Sequence, residues 1–140
     1  MKEKMNILLV EDDEVDVMNV QRAFKKNNIV NPLFIARDGL EALAILRGQA
    51  EVKITPRPQI VLMDVNMPKM GGIDCLREIR KDPDLANVSV FMLTTSNDDR
   101  DRLAAYNLNV AGYILKPVVF ESFVEAVARL NAYWELCEKP

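Results

Sequence analysis

The sequence predicts an α/β fold, a parallel sheet with helices on both faces, and three observations carry that prediction. Short apolar runs alternate with segments of helical periodicity along the chain, in the order βαβαβαβαβα. The run Ile60-Val61-Leu62-Met63 has no polar alternation, as expected of a strand covered on both faces. Acidic, hydroxyl or ammonium side chains stand directly after four of the five runs, and an open α/β sheet binds its ligands outside the carboxyl ends of its strands.

The first strand is Ile7-Leu-Leu-Val10, followed at once by Glu11, Asp12 and Asp13. Residues 14 to about 28 carry Val17, Val20, Ala23 and Phe24 at helical spacing, with Val15 and Met18 alongside, and Asn27-Asn28 ends the helix. Pro32 to Ala36 reads as the second strand. Asp38-Gly39 is a turn and an N-cap for a helix showing Leu40, Leu43, Ala44 and Leu46. Residues 48–58 hold two prolines and mixed charge, which predicts a loop, long for a helix-to-strand connection. The third strand ends at Asp64, where Met67-Pro68 and Gly71-Gly72 force a turn. A helix follows from Ile73 to about Lys81, with Ile73, Leu76 and Ile79 on one side, closed by Asp82-Pro83. The fourth strand is Val88 to Leu93, ending in Thr94-Thr95-Ser96. A helix opens at 97–100 and closes at Asn107-Leu108-Asn109. The fifth strand is Ala111 to Leu115, with Lys116-Pro117 at its end. A last helix, from about Val119 to Cys137, carries the stripe Phe120, Phe123, Val124, Val127, Leu130 and Trp134.

Composition narrows the function. The chain has 140 residues, 49% of them hydrophobic, and reads as one domain over 1–140 with a sizeable core. No apolar run approaches the roughly 18 residues of a membrane span, and the N-terminal run is too short for a signal peptide. A cytoplasmic location without membrane contact is expected. Cys75 and Cys137 match no metal spacing and read as reduced thiols. Net charge is −3, and the pairs Lys25-Lys26 and Arg80-Lys81 read as solvated rather than as a nucleic-acid footprint, so no direct DNA binding is expected. Histidine is absent, which excludes Ser-His-Asp chemistry and histidine metal ligands in this chain.

A parallel sheet collects its strand ends at one edge. There Glu11, Asp12, Asp13 and Asp64 would meet Thr94 and Lys116. Clustered carboxylates repel one another, and a hard, oxygen-seeking cation such as Mg²⁺ relieves that repulsion. The first three acids also fit a plainer role, capping the first helix. Asp64 is either an ordinary acid at a strand end or a nucleophile that forms an aspartyl phosphate. In the second case Mg²⁺, the Thr94 hydroxyl and the Lys116 ammonium would each meet a phosphoryl oxygen.

These residues resemble the receiver domain of two-component response regulators. The motifs are Ile7-Leu-Leu-Val-Glu-Asp-Asp13, Asp38-Gly39, Asp64-Val-Asn-Met-Pro68 with Gly71-Gly72, Leu93-Thr94, and Gly112-Tyr-Ile-Leu-Lys-Pro117. Asp64 precedes Thr94 by 30 residues and Lys116 by 52, as in that family, and the likeness covers essentially the whole chain. It implies a flavodoxin-like, doubly wound sheet of five parallel strands in the order 2-1-3-4-5, with five helices in three layers. It implies Asp64 as phosphoacceptor, and Mg²⁺ bound by Asp12 directly, by Glu11 mostly through water, by Asp64, and by the backbone carbonyl of Asn66. Thr94 and Tyr113 correspond to the switch pair, and Lys116 to the lysine at the site, with a cis bond to Pro117. Asp13 falls just past the acidic pair. The implied partner is a sensor histidine kinase or a phosphotransfer protein, and the implied output is a phosphorylation-dependent change on the face of helix 4, strand 5 and helix 5. Apolar and aromatic residues of 103–137, among them Tyr106, Phe123 and Trp134, read chiefly as core and secondarily as a homodimer surface on that face.

Two departures from the family pattern are the hydroxyl run Thr94-Thr95-Ser96 and the long 48–58 loop. With Tyr133-Trp134, they resemble stand-alone receivers paired with phytochrome-type kinases. The chain is therefore expected to act as a phosphoacceptor and not as a turnover enzyme. A haloacid-dehalogenase-type phosphatase would need an acid two residues after its nucleophile, where this chain has Asn66. A flavin module would place phosphate against Glu11-Asp12-Asp13, which would repel it. A phosphorylation-independent interaction domain would be expected to lose acidic or lysine positions that are all present here.

Overall fold

A computed structural model describes residues 5–94 and 108–115, together with Glu125, Ala128 and Arg129. The elements are β1 (Ile7–Val10), α1 (Glu14–Lys26), β2 (Leu33–Ala36), α2 (Gly39–Leu46), β3 (Ile60–Asp64), α3 (Gly72–Lys81), β4 (Ser89–Thr94) and β5 (Gly112–Leu115). The strands form one sheet in the order β2-β1-β3-β4-β5, and every pairing is parallel. This is the doubly wound order that the family resemblance implies. The helices expected over 97–109 and 119–137 lie outside the described residues, except for isolated positions. Glu125, Ala128 and Arg129 are helical and exposed, off the predicted apolar stripe.

Alternation along the strands builds the layers. Ile7 and Leu9 of β1, Ile60 and Leu62 of β3, and Phe91 and Leu93 of β4 pack with Val17, Val20, Ala23 and Phe24 of α1. The intervening Leu8, Val10, Val61, Met63, Val90 and Met92 pack with Ala42, Leu43 and Leu46 of α2 and with Cys75, Leu76 and Ile79 of α3. Both faces of the central strands are thus buried, which is why their sequences carry no polar alternation.

Helix ends follow local chemistry. Asp13 caps α1, its carboxylate accepting from the N–H groups of Val15 (2.8 Å) and Asp16 (3.1 Å). Asp38 caps α2 by accepting from Glu41 N–H at 2.9 Å, and Glu41 reaches back to accept from Arg37 N–H at 3.1 Å. Tertiary packing overrules the helical pattern at three positions. Val15, Met18 and Leu40 are exposed, because each helix presents only its sheet-facing side to the core. The long loop before β3 is anchored where Asn6 Nδ2 donates to the Pro56 carbonyl at 2.7 Å. Among the described residues, no helix is long and apolar enough to cross a membrane.

The expectation of two solvated basic pairs holds for Lys25, Lys26 and Lys81, which are exposed, and fails for Arg80. The Arg80 guanidinium donates to four main-chain carbonyls, those of Leu108 (2.8 Å), Ala86 (3.0 Å), Val88 (2.8 Å) and Asn109 (2.8 Å). A planar fork of five N–H donors can serve several carbonyls at once, so the side chain is half-buried instead of hydrated. Burial lowers its pKa from the usual arginine value, and it remains a cation.

Candidate metal centre

The sheet brings two acids side by side before any ligand is considered. In the β1–β3 register Leu9 faces Leu62 and Val10 faces Met63. One further residue sets Glu11 against Asp64, and by alternation both side chains belong to the α1 side of the sheet. Glu11 prolongs β1 by donating its N–H to the Ala36 carbonyl at 2.9 Å. Asp64 is the last residue of β3, and the next N–H, that of Val65, donates to Leu93 at 3.0 Å. Glu11 and Asp64 are buried, whereas Asp12 is exposed at the mouth. One carboxylate oxygen from each of the three lies within 4.8 Å of the others.

Like charges at that spacing repel, most strongly between the two buried acids, Glu11 and Asp64. The donor set is oxygen only, with no thiolate or imidazole, which fits a hard divalent cation that keeps part of its water shell. The three acids open into a cavity of about 410 Å³, lined also by Asp13, Glu14, Val15, Asp16 and Asn66. Asn66 therefore borders the same space, two residues past Asp64.

The acidic triplet divides its labour. Asp13 is committed to the α1 cap, and its own N–H donates to Glu11 Oε1 at 3.2 Å. The capping reading of the triplet holds for Asp13, and Glu11 and Asp12 remain beside Asp64. Asp13→Ala is expected to lower stability by about 1 kcal/mol, a Tm drop of a few degrees, with divalent-metal affinity kept. Asp12→Asn is expected to do the opposite, weakening metal binding while leaving the metal-free Tm unchanged or higher. Thermal denaturation and Mn²⁺ titration of the two variants distinguish the roles, and equal metal affinity in both would remove Asp12 from the site.

The loop after Asp64 turns by a route that its glycines did not announce. The left-handed residue is Lys69 (φ 62°), not a glycine, and Met70 N–H donates to the Pro68 carbonyl at 2.6 Å. Gly72 is needed for close approach: a Cβ there would overlap the backbone carbonyl oxygen of Asp64. Gly39 has a similar reason. Its N–H donates to the Met70 carbonyl at 3.1 Å, and a Cβ would stand 2.9 Å from that oxygen. Lys69 Nζ also lies 3.9 Å from the Asp38 carboxylate. The Asp38-Gly39 motif thus holds the start of α2 against the loop that leaves Asp64. Beneath it the Cys75 thiol donates to the Gly39 carbonyl at 3.5 Å. Burial pushes that thiol up to about 12, so it is held in the protonated form.

Thr94 ends β4, with its main chain paired to Leu115 of β5, one residue before Lys116 in the sequence. Tyr113 lies in β5, opposite Met92. The side chains of Thr94 and Tyr113, all of Lys116 and its bond to Pro117, and Thr95, Ser96, Tyr133, Trp134 and Cys137 fall outside the described residues.

Residues 7–128 match the family model for the response regulator receiver domain. Response regulator Rcp1 from Synechocystis is 40% identical over 128 residues, covering 91% of this chain and 87% of that protein. The phosphorylated cyanobacterial phytochrome response regulator RcpA superposes with a TM-score of 0.89 at 32% identity, covering 98% of each chain. The Mn²⁺-bound form of Rcp1 superposes with a TM-score of 0.87 at 39% identity, covering 97% of this chain and 99% of that one.

Proposed function

This chain belongs to the response regulator receiver domain family, and on that premise we propose that Asp64 is its phosphoacceptor in an Mg²⁺-dependent transfer. The observation that carries the proposal is the pairing of two buried acids, Glu11 and Asp64, with Asp12 at the mouth of one open cavity. Asp12, Asp64 and the Asn66 main-chain carbonyl, with Glu11 mostly through water, would hold Mg²⁺ there, and the bound ion would supply neutralisation of the incoming phosphoryl charge.

The chain's own residues do the rest. An Asp64 carboxylate oxygen attacks phosphorus as the P–N bond to the donor's imidazole breaks, and that imidazole leaves with the electron pair. The donor lies outside residues 1–140, which contain no histidine. Thr94 donates its hydroxyl to one phosphoryl oxygen and Lys116 its ammonium to another. The open side of the cavity admits a donor side chain, and Asn66 offers no acid for hydrolytic turnover of the phosphatase kind. We read the chain as a phosphoacceptor, not a turnover enzyme.

Residues 1–140 are read as one receiver domain that signals without contacting DNA directly. Phosphorylation draws Thr94 toward the new oxygens, Tyr113 turns into the space released, and the face of helix 4, strand 5 and helix 5 changes. That face serves a downstream protein or a second copy of the chain. We place the chain in the cytoplasm; a sensor histidine kinase or phosphotransfer protein is the donor, and the likeness to the phytochrome response regulator RcpA favours a phytochrome-type kinase.

Acetyl phosphate with Mg²⁺ tests the chemistry without a kinase. One phosphoryl group per chain is expected, prevented from forming by EDTA, released by hydroxylamine once formed, and mapped by mass spectrometry to the peptide containing Asp64. Absence of label, or metal-independent label elsewhere, overturns the proposal.

A further inference from the structure

The Arg80 guanidinium sits between the entries of two neighbouring strands. Ala86 and Val88, two of its acceptors, lead into β4, and Leu108 and Asn109, the other two, lead into β5. β5 is a strand of four residues at the edge of the sheet, hydrogen-bonded, among the described residues, to β4 alone. Its register therefore rests on one neighbour and on whatever holds its entry. At the other end the same register sets Leu115 beside Thr94. A slip of one residue moves an exit by about 3.3 Å and turns each side chain to the opposite face. Gly112 supplies a second, independent constraint, since a Cβ there would stand 2.7 Å from the buried Phe91 ring. Moving β5 by one residue would bring Ala111 or Tyr113 to that place.

We propose that Arg80 is a positioning residue for phosphoryl transfer: by clamping the entries of β4 and β5 in one register, it sets Thr94 against the chain segment that delivers Lys116. The proposal rests on the phosphoacceptor reading above. Arg80 touches neither the acids nor the phosphoryl group. It acts from the far end of the strands, through the register, and leaves the metal site on β1 and β3 alone.

Arg80→Lys keeps the charge and removes the planar fork, so one ammonium must replace contacts to four carbonyls. Three quantities are read on the full chain: amide hydrogen exchange, Mn²⁺ affinity, and the initial rate of Asp64 phosphorylation by acetyl phosphate with Mg²⁺. Protection is expected to fall at 112–115 and to persist at 7–10 and 60–64, and Mn²⁺ affinity is expected to stay within about twofold. The saturating phosphorylation rate is expected to fall roughly tenfold to a hundredfold, the scale of an ångström-sized misplacement. A β5 that loosens while the rate stays at the wild-type value assigns Arg80 to stability alone and overturns the proposal, as does a β5 that keeps its protection.

If Arg80→Lys does not fold, a single glycine inserted after Asn109 keeps the clamp and frees β5 from it. The same slowing supports the proposal, and a wild-type rate overturns it. A wild-type chain that takes no label at Asp64 defeats the phosphoacceptor reading and this one together. A labelled wild type with a full-rate variant defeats only the role of Arg80.

Discussion

Asp64→Asn is expected to take up no phosphoryl group under conditions that label the wild-type chain fully. The substitution is nearly isosteric, so the end of β3 and its pairing with β4 should persist. What disappears is the carboxylate nucleophile, and an amide does not replace it. The metal-free variant should be somewhat more stable than wild type. One negative charge leaves a cluster whose oxygens lie within 4.8 Å of one another, which relieves their mutual repulsion. Loss of label alone could reflect loss of metal, since Asp64 belongs to both roles. Asp12→Asn separates them. That variant keeps the nucleophile and should regain labelling as Mg²⁺ is raised, whereas Asp64→Asn should stay silent at every concentration. Label persisting on Asp64→Asn would mean that the acceptor lies elsewhere.

Gly72→Ala is expected to damage both stability and labelling. The added Cβ would overlap the main-chain carbonyl oxygen of Asp64 and stand 3.0 Å from both Met92 Cε and Val65 Cα. The Met92 methyl can give way, but the other two atoms are backbone, so no side-chain movement relieves the overlap with the Asp64 carbonyl. Overpacking against backbone costs about 3 kcal/mol, or a Tm drop of roughly 10 °C for a chain of this size. The relief must come from moving the end of β3, which carries Asp64, so labelling of the folded fraction should slow as well. Gly71→Ala is the control. Its Cβ would meet only the Val65 carbonyl oxygen, at 3.3 Å, and its φ of −74° suits any residue. That variant should change Tm by no more than a few degrees, and a Gly72→Ala protein with wild-type Tm would contradict the close approach.

Much of this molecule is written in local pattern. Ile7–Val10 and Ile60–Met63 announce buried strands because both sheet faces are covered, and that requirement acts on each residue separately. Asp64 and the Glu11-Asp12 pair are legible for the same reason: a polar side chain directly after such a run falls at the strand exit. The periodicity of α1 identified its buried residues correctly and left Val15 and Met18 beside that stripe undecided, because an apolar residue there looks the same in sequence whether it faces the sheet or solvent; both are exposed.

By itself, then, the sequence determined the order of strands and helices and which side chains stand at the exits of the strands, since those depend on neighbours a few positions away. Only the tertiary structure decided that Glu11 lies against Asp64 while Asp13 turns aside to cap α1, that Lys69 takes the left-handed turn, and that Gly39 and Gly72 are required by close backbone approach. Arg80 is the clearest case. Its pairing with Leu108, 28 residues away, exists only once two strands and a helix have met, and no window along the chain contains both ends of that contact. Hydrogen-bond geometry and backbone proximity are relations between distant residues, and folding alone brings those residues within reach of one another.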